Sequence, residues 1–184
     1  NNCQHPFDDV YGHWAEGYIE SLYCRGIVSG RTSYLFQPDS NITRAEFLKI
    51  ALLNAGYNPS GYNGENFSDV YEGDWYYSYL SLAEDHDFVN GYADGSFKPN
   101  NPINRAEALV ILIRIADQTL YGFSSSDIPF SDVKISDWFA YATVIGSRDG
   151  ILTGYSDGTF KPGNNVSRAE VATMAMRAYN AYYK

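Results

Sequence analysis

Apolar residues recur at helical spacing in three well-separated stretches: Phe47, Ile50 and Ala51; Leu109, Val110 and Ile113; Val171, Met174 and Ala175. Steps of three and four residues place side chains on one face of a helix. Each stretch opens with a start signal. Thr43, Asn104 and Ser167 are N-cap residues, and Glu46, Glu107 and Glu170 follow three positions later. In the first and third stretches this is a full capping box, and Asn104 is a good cap outside the strict pattern. Ile42 with Phe47, and Val166 with Val171, fit hydrophobic staples; Ile103 with Ala108 makes a weaker one. An earlier helix is predicted near residues 14–25, with equivalents after Trp75 and Trp138. Gly26 and Gly150 stand where a left-handed C-terminal cap would fall. Asp87 holds that place in the middle copy and suits it less.

These elements belong to one pattern written three times. Phe7-Asp8-Asp9-Val10 returns as Phe67-Ser68-Asp69-Val70 and as Phe130-Ser131-Asp132-Val133. Trp14, Trp75 and Trp138 follow, then Gly30, Gly91 and Gly154, then Phe36-Gln37-Pro38, Phe97-Lys98-Pro99 and Phe160-Lys161-Pro162. Each copy closes on Arg-Ala-Glu, at Arg44, Arg105 and Arg168. The step from Trp14 to Trp75 is 61 residues and from Trp75 to Trp138 it is 63, and the arginines keep the same two steps. The repeats are read as residues 1–57, 58–119 and 120–184. Each is helix, loop, helix, with Asp94-Gly95 and Asp157-Gly158 marking tight turns in the last two loops. Residues 58–66 and 118–127 read as short polar linkers. A unit of two short helices cannot bury its apolar faces alone, so one cooperative body, mainly α, is expected.

Composition narrows the chemistry. The 184 residues are 45% hydrophobic and 19% charged, which is globular rather than disordered. The longest apolar run, residues 108–113, is far too short to cross a bilayer. A net charge of −9 argues against nucleic acid and against an anionic membrane surface as partners. No signal peptide is visible, and a start at Asn1 reads as a processed protein or a fragment. Cys3 and Cys24 can form one disulfide, which would stabilise by roughly 3 kcal/mol on the chain-entropy model. Two buried thiols, or a zinc site with His5 and His13, are the other readings, although that spacing matches no standard ligand set.

One residue type is at odds with its place. Arg44, Arg105 and Arg168 occupy the first helical position, where a cation faces the positive end of the helix dipole and loses roughly 0.3–1 kcal/mol. A helix N-terminus with unpaired N–H groups, joined by a guanidinium, suits a carboxylate or phosphate. The internal alternative is an ion pair with Asp9, Asp69 or Asp132. Aromatic residues extend the ligand reading, because rings stack on the C–H faces of sugars. A recurring tryptophan is nevertheless more often core, while Tyr92 and Tyr155, beside turns, are expected to be exposed. Replacing the arginines by alanine is expected to weaken binding and to leave the fold intact.

The pattern resembles the S-layer homology family, whose repeat runs from Phe-x-Asp-Val through Trp and a glycine-rich turn to Ile-Thr-Arg-Ala-Glu. Ile42-Thr43-Arg44-Ala45-Glu46 matches it outright, and the likeness covers all three repeats. The resemblance implies a pseudo-threefold arrangement around a central helical bundle. It implies grooves between repeats that bind an acidic, pyruvylated secondary cell wall polysaccharide, and so anchor a larger surface protein non-covalently to the outside of a bacterial cell wall. By matching position, glycan contacts fall to Arg44, Arg105 and Arg168, to Asp9, Asp69 and Asp132, to Trp14, Trp75 and Trp138, and to Gly30, Gly91 and Gly154. No catalytic residue, cofactor or metal is implied. The sequence departs from the pattern in repeat 1, where Gly30-Arg31-Thr32 lacks the Asp-Gly turn, and in repeat 2, where Asn104 replaces Thr and Asp87 replaces Gly.

Three rivals stand beside this reading. Paired carboxylates such as Asp8 and Asp9 can serve glycoside hydrolysis, but adjacent residues point apart, and three like copies suit three binding sites better than one asymmetric active site. Calcium binding at Asp94-Gly95 lacks the closing Glu of an EF-hand, since Asn101 stands there. A purely structural or self-associating module is the third. Asn41, Asn66 and Asn165 begin glycosylation sequons, two of which overlap helix caps.

Overall fold

The computed structural model describes residues 3–64 and 67–184. The sequon at Asn66 therefore begins outside the described residues. Six α-helices appear among them: α1 (Glu16–Cys24), α2 (Arg44–Asn54), α3 (Tyr77–Asp85), α4 (Arg105–Ile115), α5 (Ala140–Arg148) and α6 (Arg168–Ala178). No β-strand is present among the described residues, and each repeat contributes one short helix and one of eleven residues. Among the described residues no helix is long and apolar enough to cross a membrane. Two elements escaped the sequence reading. A single 3-10 turn at Ser125–Asp127 is capped by Ser124 in the second linker, and Tyr179–Tyr183 continue α6 as a π-helical turn.

The helix ends follow local rules. Thr43 and Glu46 form the full capping box of α2, and Asn104 accepts from the Glu107 N–H. Ser167 accepts from the Glu170 N–H, but the return bond from Glu170 is missing because that carboxylate turns toward Arg105. At the other ends, Gly26, Asp87 and Gly150 all take positive φ, at 72°, 58° and 72°. The N–H of the next residue reaches back to Leu22, Ala83 and Gly146, which are Schellman closures. Cys3 and Cys24 are disulfide-bonded, with Cα atoms 5.8 Å apart, tying the N-terminal segment to the last turn of α1. That bond removes the free-thiol and zinc readings of the pair.

The helices are exchanged around a circle. The second helix of each repeat packs on the first helix of the next: α2 on α3, α4 on α5, α6 on α1. Helix α2 also touches α4 and α6. Helix α4, read from sequence by one stripe, is buried on all sides, with Leu109, Val110, Ile111, Leu112 and Ile113 at most 5% exposed. The segments just ahead of the long helices close the circle. The Ile42 N–H donates to Val166, the Val166 N–H to Ile103, and the Ile103 N–H to Ile42, at 3.4, 3.1 and 3.1 Å. Inside each repeat a phenylalanine pair anchors the loop: Phe7 with Phe36, Phe67 with Phe97, Phe130 with Phe160, each at 5.4 Å between centroids.

Candidate functional site

The loop glycines and aspartates are explained by the phenylalanine pairs. A Cβ on Gly30, Gly91 or Gly154 would run into the ring of Phe7, Phe67 or Phe130. Only glycine lets the loop lie flat on that ring. The Asp9 carboxylate accepts from the Phe36 and Gln37 N–H groups, Asp69 from Phe97 and Lys98, and Asp132 from Phe160 and Lys161, all at 2.7–2.9 Å. Gln37, Lys98 and Lys161 sit at φ of 60°, 57° and 54°, a left-handed backbone that costs a non-glycine residue about 1–3 kcal/mol. Both oxygens of each aspartate are therefore engaged in holding a strained loop. The ion pairs expected between these aspartates and the arginines do not form.

The arginines find other partners, across the repeat junction. Arg44 Nε donates to the Phe97 carbonyl, Arg105 Nε to Phe160, and Arg168 Nε to Phe36, at 2.8, 2.7 and 2.9 Å. Their ion-pair partners are the N3 glutamates of the following repeat: Glu107 for Arg44, Glu170 for Arg105 at 3.6 Å, and Glu46 for Arg168 at 4.0 Å. The three arginines are 5%, 8% and 6% exposed. The helix tips, in turn, carry no unpaired N–H at their first two positions. Arg44 and Ala45 N–H donate to the Asn101 and Pro99 carbonyls, Arg105 and Ala106 to Asn164 and Pro162, Arg168 and Ala169 to Ser40 and Pro38. The expected anion site at the tip is thus already filled by neighbouring backbone, because the junction packs those carbonyls onto it. What remains for a ligand is the outer edge of each guanidinium.

That edge opens into a groove in all three cases. Groove A is lined by Arg44, Tyr92, Glu107, Arg114 and Trp138, groove B by Arg31, Glu46, Lys49, Trp75 and Arg168, and groove C by Trp14, Arg105, Glu170, Thr173 and Arg177. Their volumes are about 420, 200 and 130 Å³. Every groove draws on all three repeats: an arginine from one, a loop and long helix from the next, and a tryptophan from the one after. Trp14, Trp75 and Trp138 stand just ahead of α1, α3 and α5, and are 61%, 53% and 57% exposed. The core reading of a recurring tryptophan fails here, since the buried ring next to two of them is Tyr76 or Phe139 instead. Tyr92 and Tyr155 are exposed as expected, and each packs between an arginine (4.8 and 4.9 Å) and a lysine (4.4 and 4.1 Å).

The grooves differ where the repeats differ. In repeat 1 the Thr32 hydroxyl accepts the Tyr34 and Leu35 N–H groups, closing the loop without an Asp-Gly turn. Arg31 occupies the register of Tyr92 and Tyr155, and grips Glu46 through both carboxylate oxygens. Burial, and then the nearby Arg31 charge, pull the Arg168 guanidinium down to about 10, against the opposing pull of Glu46 and Asp9. Burial likewise lowers Arg44. The glutamates, Arg31, Lys49, Arg114 and Arg177 were not singled out from sequence as site residues. The mismatch of Arg31 against two tyrosines was the one signal that could have pointed to them.

Comparison with known proteins rests on the same residues. The family model for the S-layer homology domain matches residues 6–48, 66–109 and 129–172, spanning every phenylalanine motif, tryptophan and junction arginine described above. The chain belongs to the S-layer homology family. It is 36% identical over 173 residues to an amylopullulanase of Thermoanaerobacterium thermosulfurigenes, covering 91% of this chain and 9% of that protein. It is 44% identical over 92 residues to a cellulosome-anchoring protein of Acetivibrio thermocellus, covering 49% of this chain and 20% of that protein. It is 34% identical over 91 residues to a surface layer protein of Brevibacillus choshinensis, covering 49% of this chain and 8% of that protein. The S-layer homology chain thus spans a fifth or less of each of these relatives.

Proposed function

We propose that this chain anchors a larger surface protein non-covalently to a bacterial cell wall, by binding an acidic, pyruvylated wall polysaccharide in the grooves between repeats and leaving it chemically unchanged. One observation carries the reading: the same pair, an exposed indole and the edge of a buried guanidinium, recurs in three grooves. An indole gives a sugar ring a stacking face, and the guanidinium takes a carboxylate substituent with charge-assisted hydrogen bonds. Relatives named as cellulosome-anchoring and surface layer proteins support a place at the cell surface. The amylopullulanase aligns over only 9% of its length, consistent with a shared binding segment rather than a shared reaction. Because each groove needs three repeats, residues 1–57, 58–119 and 120–184 act as one cooperative module. The glycines and aspartates contribute indirectly, by shaping the loops that wall the grooves.

Sedimentation with isolated wall sacculi tests this. The protein is expected to pellet with intact sacculi and to stay in solution once the wall polymer has been stripped. A variant with Trp14, Trp75 and Trp138 all changed to Ala should keep its fold and lose the pellet. Sedimentation that survives removal of the polymer would end the proposal.

A further inference from the structure

The three grooves carry unequal charge. Groove B sets three cations, Arg31, Lys49 and Arg168, against one carboxylate, Glu46. Groove A sets Arg44 and Arg114 against Glu107, and groove C sets Arg105 and Arg177 against Glu170. The difference arises at three registers, at one of which repeat 1 has Leu53 where the others have Arg114 and Arg177. Arg31 stands where the other repeats have Tyr92 and Tyr155, and Lys49 stands where they have Val110 and Thr173. The geometry sharpens it. Glu107 sits directly on Arg44 and also takes the Asn104 amide and the Tyr92 hydroxyl, so the one acid of groove A is fully engaged with its neighbours. In groove B, Arg31 occupies both oxygens of Glu46, which leaves the Arg168 Nη1 atom 4.0 Å from the carboxylate. Two guanidiniums share one acid there, and Lys49 Nζ lies 5.8 Å from the Trp75 ring without an acid of its own among the lining residues.

We propose that groove B is a dianion site: it takes a saccharide bearing a doubly charged oxyanion, a phosphate monoester being the simplest, stacked on Trp75 and held between Arg31, Lys49 and Arg168. A phosphate monoester carries close to two negative charges at neutral pH and offers three acceptor oxygens, one each for the Arg168 Nη1 that its bonds to Phe36 and Ser29 leave over, for the Lys49 ammonium, and for the Arg31 guanidinium that now holds Glu46. A single carboxylate would leave the groove with uncompensated positive charge in a partly desolvated place. Burial is the main cause of the lowered pKa of Arg168, and the Arg31 charge beside it adds to that. Grooves A and C, with two cations to one acid, suit a singly charged sugar. Arg31 is then the residue that sets the preference.

The inference rests on the grooves being saccharide sites, and the chain offers a way to test the two separately. It has three tryptophans, one per groove, so the three indole N–H signals in a proton–nitrogen NMR spectrum report the grooves one by one. Glucose 6-phosphate, glucuronate and glucose are titrated in turn, then purified wall polymer. Glucose 6-phosphate is expected to shift the Trp75 signal with an affinity about tenfold above that of glucuronate, the worth of one charge-assisted hydrogen bond. No such ratio is expected at Trp14 or Trp138. Arg31→Tyr, which installs the residue of the other two repeats, should remove the ratio, and Tyr92→Arg should create one at Trp138. If wall polymer moves none of the three signals, the saccharide reading and this inference fall together. If polymer moves them but the phosphate and the carboxylate bind equally at Trp75, or Arg31→Tyr leaves the ratio unchanged, the dianion inference alone is overturned.

Discussion

The junction ring and the grooves beside it meet at the same three arginines, yet one is threefold and the other is not. In the ring, Ile42, Ile103 and Val166 exchange equivalent hydrogen bonds, and three arginines reach three phenylalanine carbonyls within 2.7–2.9 Å. In the grooves the acid–base contacts run from direct, at Arg44 with Glu107, to 4.0 Å, at Arg168 with Glu46. The ring has no slack, because a buried backbone group without a partner costs more than a typical hydrogen bond yields. The groove walls face solvent, where substitutions of single residues cost little stability. Divergence therefore collects at positions such as Arg31 and Lys49, and the contrast separates what the fold demands from what a ligand can select.

The arginines sit on the border between the two, and removing one is the strongest test. Arg44→Ala is expected to destabilise by about 3–5 kcal/mol, since it takes the counter-charge from Glu107 and the donor from the Phe97 carbonyl at a buried junction. Chemical denaturation reads this directly, and a loss under 1 kcal/mol would place Arg44 with the grooves rather than the ring. The sequence reading, in which alanine at these positions left the fold intact, is thereby revised. Asp69→Ala comes next. It releases two charge-assisted bonds that hold Lys98 in a left-handed conformation, with an expected loss of about 1.5–3 kcal/mol by the same measurement. Asp87→Gly runs the other way. Asp87 holds φ of 58° where repeats 1 and 3 have glycine, so the change should stabilise by about 1 kcal/mol and raise the midpoint of thermal unfolding. Trp75→Ala, at the solvent-facing extreme, should alter stability by no more than about 0.5 kcal/mol while lowering the fraction that pellets with intact wall sacculi.

The ring was only half legible in the amino-acid sequence. Caps, left-handed closures and the Asp-Gly turns depend on residues a few positions apart, so Thr43, Gly26 and Gly95 announce themselves. Gly30 was legible as a repeat position, but its reason, the ring of Phe7, lies more than twenty residues away. The arginines show the same boundary. Their unfavourable place at a helix start called for a negatively charged partner, read first as an anionic ligand and alternatively as an ion pair within the chain. The partners proved to be the next repeat's carbonyl and glutamate, some sixty residues on in sequence, or back at residue 36 for Arg168. Glu46, Glu107 and Glu170 were read as capping residues alone because the cap accounts for them locally. Residue type alone sets Trp14, Trp75 and Trp138 toward the core, while the family resemblance gives them to the glycan, and it takes the folded chain to show them exposed.

The exchange of helices around the circle also orders events in time. Val166 and the Phe160, Pro162 and Asn164 carbonyls belong to the last-made of the three repeats, and they complete bonds begun at Ile42, Arg105 and Ala106. A growing chain that stops short of them holds α1 without α6, and Ile42 without its acceptor. The circle can shut only after the third repeat leaves the ribosome, so the first two repeats must wait, open, for it.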